Sequence, residues 1–345
     1  MPMTGTNLNS ATEIRINVEL QSTYTLPSEA FLLFEGQLVK LADGTAYVNT
    51  DAVTLTSNVL ADNSGFAARQ AYIIQKPTTK GTFSFCVPLR HIFGFSDDYN
   101  KVIYGLKQTI SLARDSDDNA IFKRAGVAAA KVKLNKISLF MPHVLPADTQ
   151  RYKHYNQIES KVTLPVSFRA RQCDTISVPQ ATTFSWRLSV KASPERARYI
   201  IVAFQTSKSR DQNANASIFD HFDLKNMYIM LNQDRYPYID YNLSFPNQQF
   251  SRAYREAAVF NEKFYGMNEL ITHSNINPSD YKDLHPLFVF DVSKQPELIK
   301  SSTIDVINKA TFNSAVPAST DAYAVVVSNK LLQFQLDGNK IDVVY

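Results

Sequence analysis

Two stretches of alternating, strand-type sequence, Lys131–Val144 (KVKLNKISLFMPHV) and Lys330–Tyr345 (KLLQFQLDGNKIDVVY), close the two halves of this 345-residue chain in similar ways. Each ends a long series of short β runs, and another series of the same kind follows the first. A chain that builds one all-β unit and then builds a second has little room for any other fold class. With no recognisable catalytic cluster in it, such a chain is expected to be made for assembly.

The first half opens with Glu13–Leu20 (EIRINVEL), where Ile14, Ile16, Val18 and Leu20 share one face. Phe31–Leu41, Ala46–Thr56, Tyr72–Gln75 and Thr82–Val87 follow at strand length, separated by Pro27, Asp43-Gly44, Asn63-Ser64-Gly65 and Pro77. Pro88–Phe95 reads as a helical turn, from its leading proline and the recurrence of Leu89, Ile92 and Phe93. Val102–Leu112 and Val132–Phe140 return to strand character. Residues 145–162 are polar with no clean strand period, and the domain boundary is expected there. The resulting division is 1–150, a linker at 151–162, and 163–345.

The second half restarts with Val162–Ala170, Thr175–Val178 and Thr183–Val190. Tyr199–Thr206 is continuously apolar, as in a strand buried on both faces. Leu224–Leu231 and Tyr236–Leu243 read as further strands. One helix is predicted near 247–265, where Phe250, Ala253, Tyr254, Ala257, Phe260 and Phe264 recur at helical spacing and Gly266 is placed to cap the end. Leu287–Val292, Ser302–Asn308, Ala322–Ser328, Leu331–Leu336 and Lys340–Val344 complete the series, with Asp337-Gly338 as a tight turn. The pattern predicts two consecutive eight-stranded antiparallel sandwiches with a few inserted short helices, because open twisted sheets rarely exceed about ten strands.

Composition narrows the function. The net charge is +4 and the first dozen residues contain no Lys or Arg, so no cationic arm for nucleic acid is visible. Only 10 glycines are present, which argues against phosphate-cradling loops. Two cysteines, Cys86 and Cys173, cannot make a disulfide framework or a four-cysteine zinc site and are expected as free thiols. No signal-peptide pattern opens the chain, no apolar run is long enough to span a bilayer, and the sequons at Asn215 and Asn242 read as chance matches. A soluble product that is not secreted is expected.

No dinucleotide, Walker, nucleophile-elbow or paired-histidine motif occurs. His91, His143, His154, His221, His273 and His285 are scattered. His221-Phe222-Asp223 would place two ligands on one side if it were a strand, but two ligands do not define a metal site, and a solvated loop-to-strand junction is the simpler reading. Asp115-Ser116-Asp117-Asp118-Asn119 lacks the glycine and distal glutamate of a calcium loop and reads as a hairpin tip; Asp97-Asp98 reads as a turn. No catalytic residue, cofactor or metal is therefore expected. Tyrosine and arginine interleave at 234–238 and again at Arg252–Arg255. Tyr254 falls on the apolar helix face, whereas Arg235, Tyr236 and Tyr238 are candidates for a protein interface rather than for nucleotide stacking.

Four segments carry a family resemblance: Phe83–Tyr104 (FSFCVPLRHIFGFSDDYNKVIY), Leu224–Tyr238 (LKNMYIMLNQDRYPY), Ala253–Gly266 (AYREAAVFNEKFYG) and His285–Glu297 (HPLFVFDVSKQPE). Together they resemble the double jelly-roll major capsid proteins of Polinton/Maverick elements, adintoviruses and related invertebrate viruses. The resemblance implies two jelly rolls and homotrimers with a pseudo-hexagonal outline that tile an icosahedral virion shell. It also implies a separate single jelly-roll penton protein at the vertices, and it implies no enzyme activity. The chain is short for the family, which puts large outward towers in doubt. Two alternatives stand beside it: a host-encoded, virus-derived protein reused for assembly or binding, and a carbohydrate-binding β-sandwich, for which no convergent polar site is visible.

Overall fold

The computed structural model describes residues 13–18, 24–40, 81–104, 108–123, 129–160, 163–189, 196–266, 276–295, 305–337 and 340–344. Its contacts divide the chain into two units, Met1–Phe168 together with Leu331–Tyr345, and Arg169–Lys330. This division falls later than the 151–162 expected from polarity, and it groups the closing segment with the first unit.

In chain order the first unit contains β1 (Glu13–Val18), β2 (Tyr24–Thr25), β3 (Phe31–Lys40), β4 (Thr82–Pro88), α1 (Leu89–Ile92), α2 (Gly94–Asp98), β5 (Ile103–Tyr104) and β6 (Gln108–Ala113). Then come α3 (Asp117–Ala120), β7 (Ala130–Phe140), β8 (His143–Val144) and α4 (Asp148–Glu159). All pairing is antiparallel: β4-β3-β7, β1-β6 and β5-β2-β8. Alternation aims Ile14 and Ile16 of β1, Leu32 of β3, Ile110 of β6, and Ile137 and Leu139 of β7 into one core. Leu89 joins that core because α1 follows β4 directly, with the Leu89 N–H donating to Ala30 O at 2.9 Å. The turn expected at Pro88–Phe95 is thus present. The strands expected at Ala46–Thr56 and Tyr72–Gln75 lie outside the described residues.

One helix in this unit was not foreseen, and one expectation is corrected. Residues 148–159 of the polar boundary segment form the helix α4, and every described side chain on it is exposed, so no apolar stripe marks it in the sequence. Asp115–Asn119 is not a plain hairpin tip but contains α3. The Asp115 carboxylate accepts from Ser116 N–H and Asn119 Nδ2, while Asp117 accepts from Arg114 and from Val132 N–H.

The second unit runs β9 (Leu164–Val178), β10 (Thr183–Arg187), β11 (Arg196–Thr206), β12 (Leu224–Leu231), β13 (Asp234–Tyr236), α5 (Ser251–Ala258) and α6 (Phe260–Tyr265). It continues with α7 (Pro278–Asp283), β14 (Phe288–Asp291), β15 (Val306–Phe312) and β16 (Thr320–Asp337); β17 (Lys340–Val344), in the closing segment grouped with the first unit, pairs with the last residues of β16. β9 and β16 each extend across the division between units. One sheet holds β14, β11, β16 and β9 side by side; the other has the order β10-β15-β12-β13. Numbered from β9, the strands alternate as 6-3-8-1 and 2-7-4-5, so every connection except the β12–β13 hairpin passes from one sheet to the other. That is the wiring of an eight-stranded jelly roll. Both sheets feed a single core, with Ile200, Val202, Phe204, Phe288, Ala324 and Val326 from one, and Trp186, Met227, Ile229, Val306, Ala310 and Phe312 from the other.

β11 is covered on both faces as its apolar run predicts: Phe204 points into the core, and Tyr199 packs edge-on against Phe260 of α6 at 5.2 Å. The helix expected over 247–265 starts later and breaks once. Ser244 bridges to Gln249 in a turn that holds Gln248 at φ +58°, so α5 begins only at Ser251, and Val259 (ψ −2°) separates α5 from α6. Gly266 caps α6 at φ +66°. The strand expected over Tyr236–Leu243 ends at Tyr236, where a cis peptide to Pro237 turns the chain into a loop. Two pairs of expected strands, Val162–Ala170 with Thr175–Val178 and Ala322–Ser328 with Leu331–Leu336, are each one continuous strand, β9 and β16.

Gly36 sits at an irregularity in the β3–β7 register between Glu35 and Gly36. A β-carbon there would lie 2.6 Å from Phe83 Cζ and 2.7 Å from Lys133 O. The second contact is backbone and cannot rotate away. Gly36→Ala is therefore expected to destabilise the first unit by about 1–3 kcal/mol, read as a lowered midpoint in thermal unfolding.

Candidate protein interface

The β12–β13 hairpin leads into the region the sequence singled out. Asn232, left-handed at φ +53°, makes the turn; its N–H donates to Asp305 O and its Oδ1 accepts from Asp305 N–H, both at 2.9 Å. Arg235 follows on β13, with its guanidinium 3.9 Å over the Tyr228 ring and a hydrogen bond to the Asp240 carboxylate. Asp240 also accepts from Asn226 Nδ2 at 2.7 Å, and its carbonyl accepts from Arg252 at 2.8 Å. Asn226 Oδ1 accepts from Tyr241 N–H at 3.0 Å, and Leu243 N–H donates to Lys225 O at 2.7 Å. The loop from Pro237 to Tyr241 is thereby tied to β12, β13 and α5.

Tyr236 and Tyr238 take opposite roles in this loop. Tyr236 is half-buried against the core, and its hydroxyl donates to Lys294 O at 3.3 Å. Tyr238 is 88% exposed and the adjacent Ile239 is 68% exposed. Arg235 is occupied internally by Tyr228 and Asp240. Of the three residues singled out in the sequence, Tyr238 is the one presented to solvent, and its partner in the patch is Ile239. Ile239 was missed because an isolated isoleucine in a strand-like run reads as core. Tyr254, expected in the core, packs against it, with its hydroxyl on Ile276 O at 3.0 Å.

Electrostatics follow from the ties. The hydrogen bond from Arg235, reinforced by the one from Asn226, holds the Asp240 carboxyl below its ordinary value. Tyr241, half-buried beneath Arg252 and facing Glu256, has its hydroxyl pushed up to about 12, chiefly by burial. Neither is a proton-transfer group at neutral pH.

The remaining candidates do not converge on a reactive centre. His221 and Asp223 lie in a loop and not on a strand, with Asp223 N–H donating to His221 Nδ1. Asp97 and Asp98 close α2, where a bare turn was expected. Cys86 and Cys173 are free and exposed, and burial together with Asp174 raises the Cys173 thiol. Among the described residues no three metal-ligating side chains gather, and no helix is long and apolar enough to cross a membrane. A cavity of about 480 Å³ opens between Gln248, Phe250 and the start of α7, with Lys282 and Asp283 as its ionisable lining.

An eight-stranded jelly roll preceded by a second β-rich unit defines the class as an all-β protein of paired sandwiches. The sequence pattern of the double jelly roll-like domain matches residues 44–332, and the chain belongs to that family. A comparison with curated proteins found no match. Among solved structures, a chain of the Sputnik virophage aligns with a TM-score of 0.50 and 10% identity over 99% of this chain and 87% of that one. A chain of the PBCV-1 virus capsid aligns at 0.46 and 10%, over 100% and 95%. A chain of Sulfolobus Turreted Icosahedral Virus aligns at 0.40 and 10%, over 95% and 89%. At this identity the likeness to the Sputnik virophage chain speaks to fold alone.

The ties around Asp240 yield a measurable outcome. Its depressed carboxyl adds stability that is present above the ordinary carboxylate value and is lost as pH falls through the depressed one. In Arg235→Ala the Asp240 titration, followed by NMR, is expected to move up toward 3.8, the ordinary value. An unchanged titration would show that the guanidinium is not what holds it.

Proposed function

We propose that the chain is the major structural subunit of a viral capsid, assembling as homotrimers whose six jelly rolls give a pseudo-hexagonal tile of an icosahedral shell. Its place is then the virion, beside a single jelly-roll protein that closes the vertices. The observation that carries the reading is the match to the double jelly roll family over residues 44–332, together with the 6-3-8-1 and 2-7-4-5 strand order of the second unit. The Sputnik virophage chain, which has the same fold over nearly the whole length, supports it.

Two physical arguments point the same way. A threefold ring needs a heterologous contact, in which one surface of a subunit meets a different surface of the next. Tyr238 and Ile239 suit such a contact, because they are large, mostly apolar and held by a loop already tied by four hydrogen bonds, so little ordering entropy is left to lose on docking. The role asks nothing of a reactive site, and no catalytic motif is recognisable in the sequence.

Purified protein is expected to run in light scattering as a trimer of about 117 kDa, three times the 38.9 kDa chain, and to show threefold particles in negative stain. A strictly monomeric species across concentration would overturn the reading. Tyr238→Ala combined with Ile239→Ser is expected to weaken the trimer by about 30-fold or more, the scale of a lost hot spot.

A further inference from the structure

His221 lies in the connection from β11 to β12. Its ring is stacked on Phe245, with centroids 4.2 Å apart and planes 5° from parallel. Nδ1 accepts a hydrogen bond from Asp223 N–H at 2.9 Å, so that nitrogen carries no proton and the ring is neutral. The bond spans two residues held in the left-handed region, Phe222 at φ +47° and Asp223 at φ +46°, a conformation unfavourable for a bulky side chain such as Phe.

Those two residues join three separate segments. The Asp223 carboxylate accepts from Phe245 N–H at 3.0 Å, and the Asp223 carbonyl accepts from Asn313 N–H at 3.1 Å, just past the end of β15. The His221 carbonyl accepts from Leu224 N–H at 3.0 Å and so starts β12. Phe222 packs edge-on against Phe204 at the centre of the core. One unprotonated ring nitrogen therefore holds in place a strained pair that fastens the β12 entry, the 244–249 turn and the β15 exit to one another.

The charged groups facing His221 are few. Asp220 and Asp223 come from its own segment, and Lys282 and Asp283 from α7. The 244–249 turn brings Phe245 and no charged side chain. Asp220 is already engaged, accepting from Lys208 Nζ and from Thr206 N–H. Burial opposes the imidazolium and outweighs the attraction of Asp223, Asp283 and Asp220, with Lys282 adding to the opposition, so the pKa lies below its ordinary 6.5.

We propose that His221 is an acid-sensitive latch: when solvent protonates Nδ1, the acceptor for Asp223 N–H is lost and the strained pair lets go, loosening this end of the second jelly roll. The sign is fixed by linkage. A histidine whose folded pKa is depressed adds stability that is fully present above its ordinary value and lost as pH falls through the folded one. The device is local to the second unit and does not depend on the capsid reading.

Amide hydrogen exchange of the full chain between about pH 7.5 and pH 5, corrected for the intrinsic pH dependence of exchange, tests the latch together with NMR titration of the histidines. His221 is expected to titrate below 6.5. Segments 219–226 and 243–250 are expected to lose protection by about three- to tenfold, the equilibrium equivalent of one hydrogen bond, with a midpoint matching that titration. His221→Asn keeps an acceptor for the Asp223 N–H but cannot be protonated, and its protection should be flat over the same range. Equal pH dependence in wild type and variant overturns the proposal, and so does a His221 titration at or above 6.5. Should the variant fail to fold, the wild type still decides, because a protection midpoint that follows another group's titration is equally fatal.

Discussion

Phe204 joins the two sheets of the second unit, and the rest of that unit is arranged around it. It is fully buried on β11, and its ring meets Phe288 of β14 in its own sheet, Phe312 of β15 in the opposite sheet, and Phe222 from the connecting loop, at centroid separations of 6.2, 5.6 and 6.1 Å. Burying an aromatic cluster of this kind is the main force holding a sandwich together. It also sets register, since a one-residue slip of any of these strands would turn its phenylalanine out of the core.

The jelly-roll wiring puts its cost into the connections. Almost every strand is followed by a crossing to the other sheet, and the crossings near Phe204 use residues in the left-handed region: Ser207, Arg210, Phe222, Asp223 and Ser319. Their polar groups are met locally. Gln205 donates to Ala216 O and Ile218 O, Lys208 to Ile218 O and Asp220, and the Thr206 and Thr320 hydroxyls meet at 2.7 Å. The 237–241 loop is tied just as closely but leaves Tyr238 and Ile239 outside. The β11–β12 connection thus satisfies its polar groups locally, whereas the 237–241 loop presents apolar surface.

Much of this was legible in the residues. Strand-type patterning located β1, β3, β4, β7, β12 and β14 to within a residue or two, most clearly in β12, where burial on one face imposes period two. Gly266 was read correctly as a cap, since few other residues take φ +66° without strain. The misses have separate causes. α4 has no apolar face, so hydrophobic periodicity could not reveal it. The polar Gln172-Cys173-Asp174 in the middle of β9 looked like a break, yet those side chains are largely exposed on a continuous strand. Tyr236–Leu243 alternates like a strand but is held as a loop through Asp240 by Asn226, Arg235 and Arg252, which come from three separate elements.

The sequence by itself determined that the chain is all-β, that it makes such a unit twice, and that it carries no recognisable catalytic motif, because these follow from local periodicity and residue type. Only the tertiary structure decided which strands are neighbours, that Arg235 and Tyr236 are used internally while Tyr238 and Ile239 face out, and that His221 is a neutral acceptor stacked on Phe245. Those outcomes depend on contacts between residues far apart in the chain. The free energy of such a contact belongs to the pair, and neither residue's local sequence contains it.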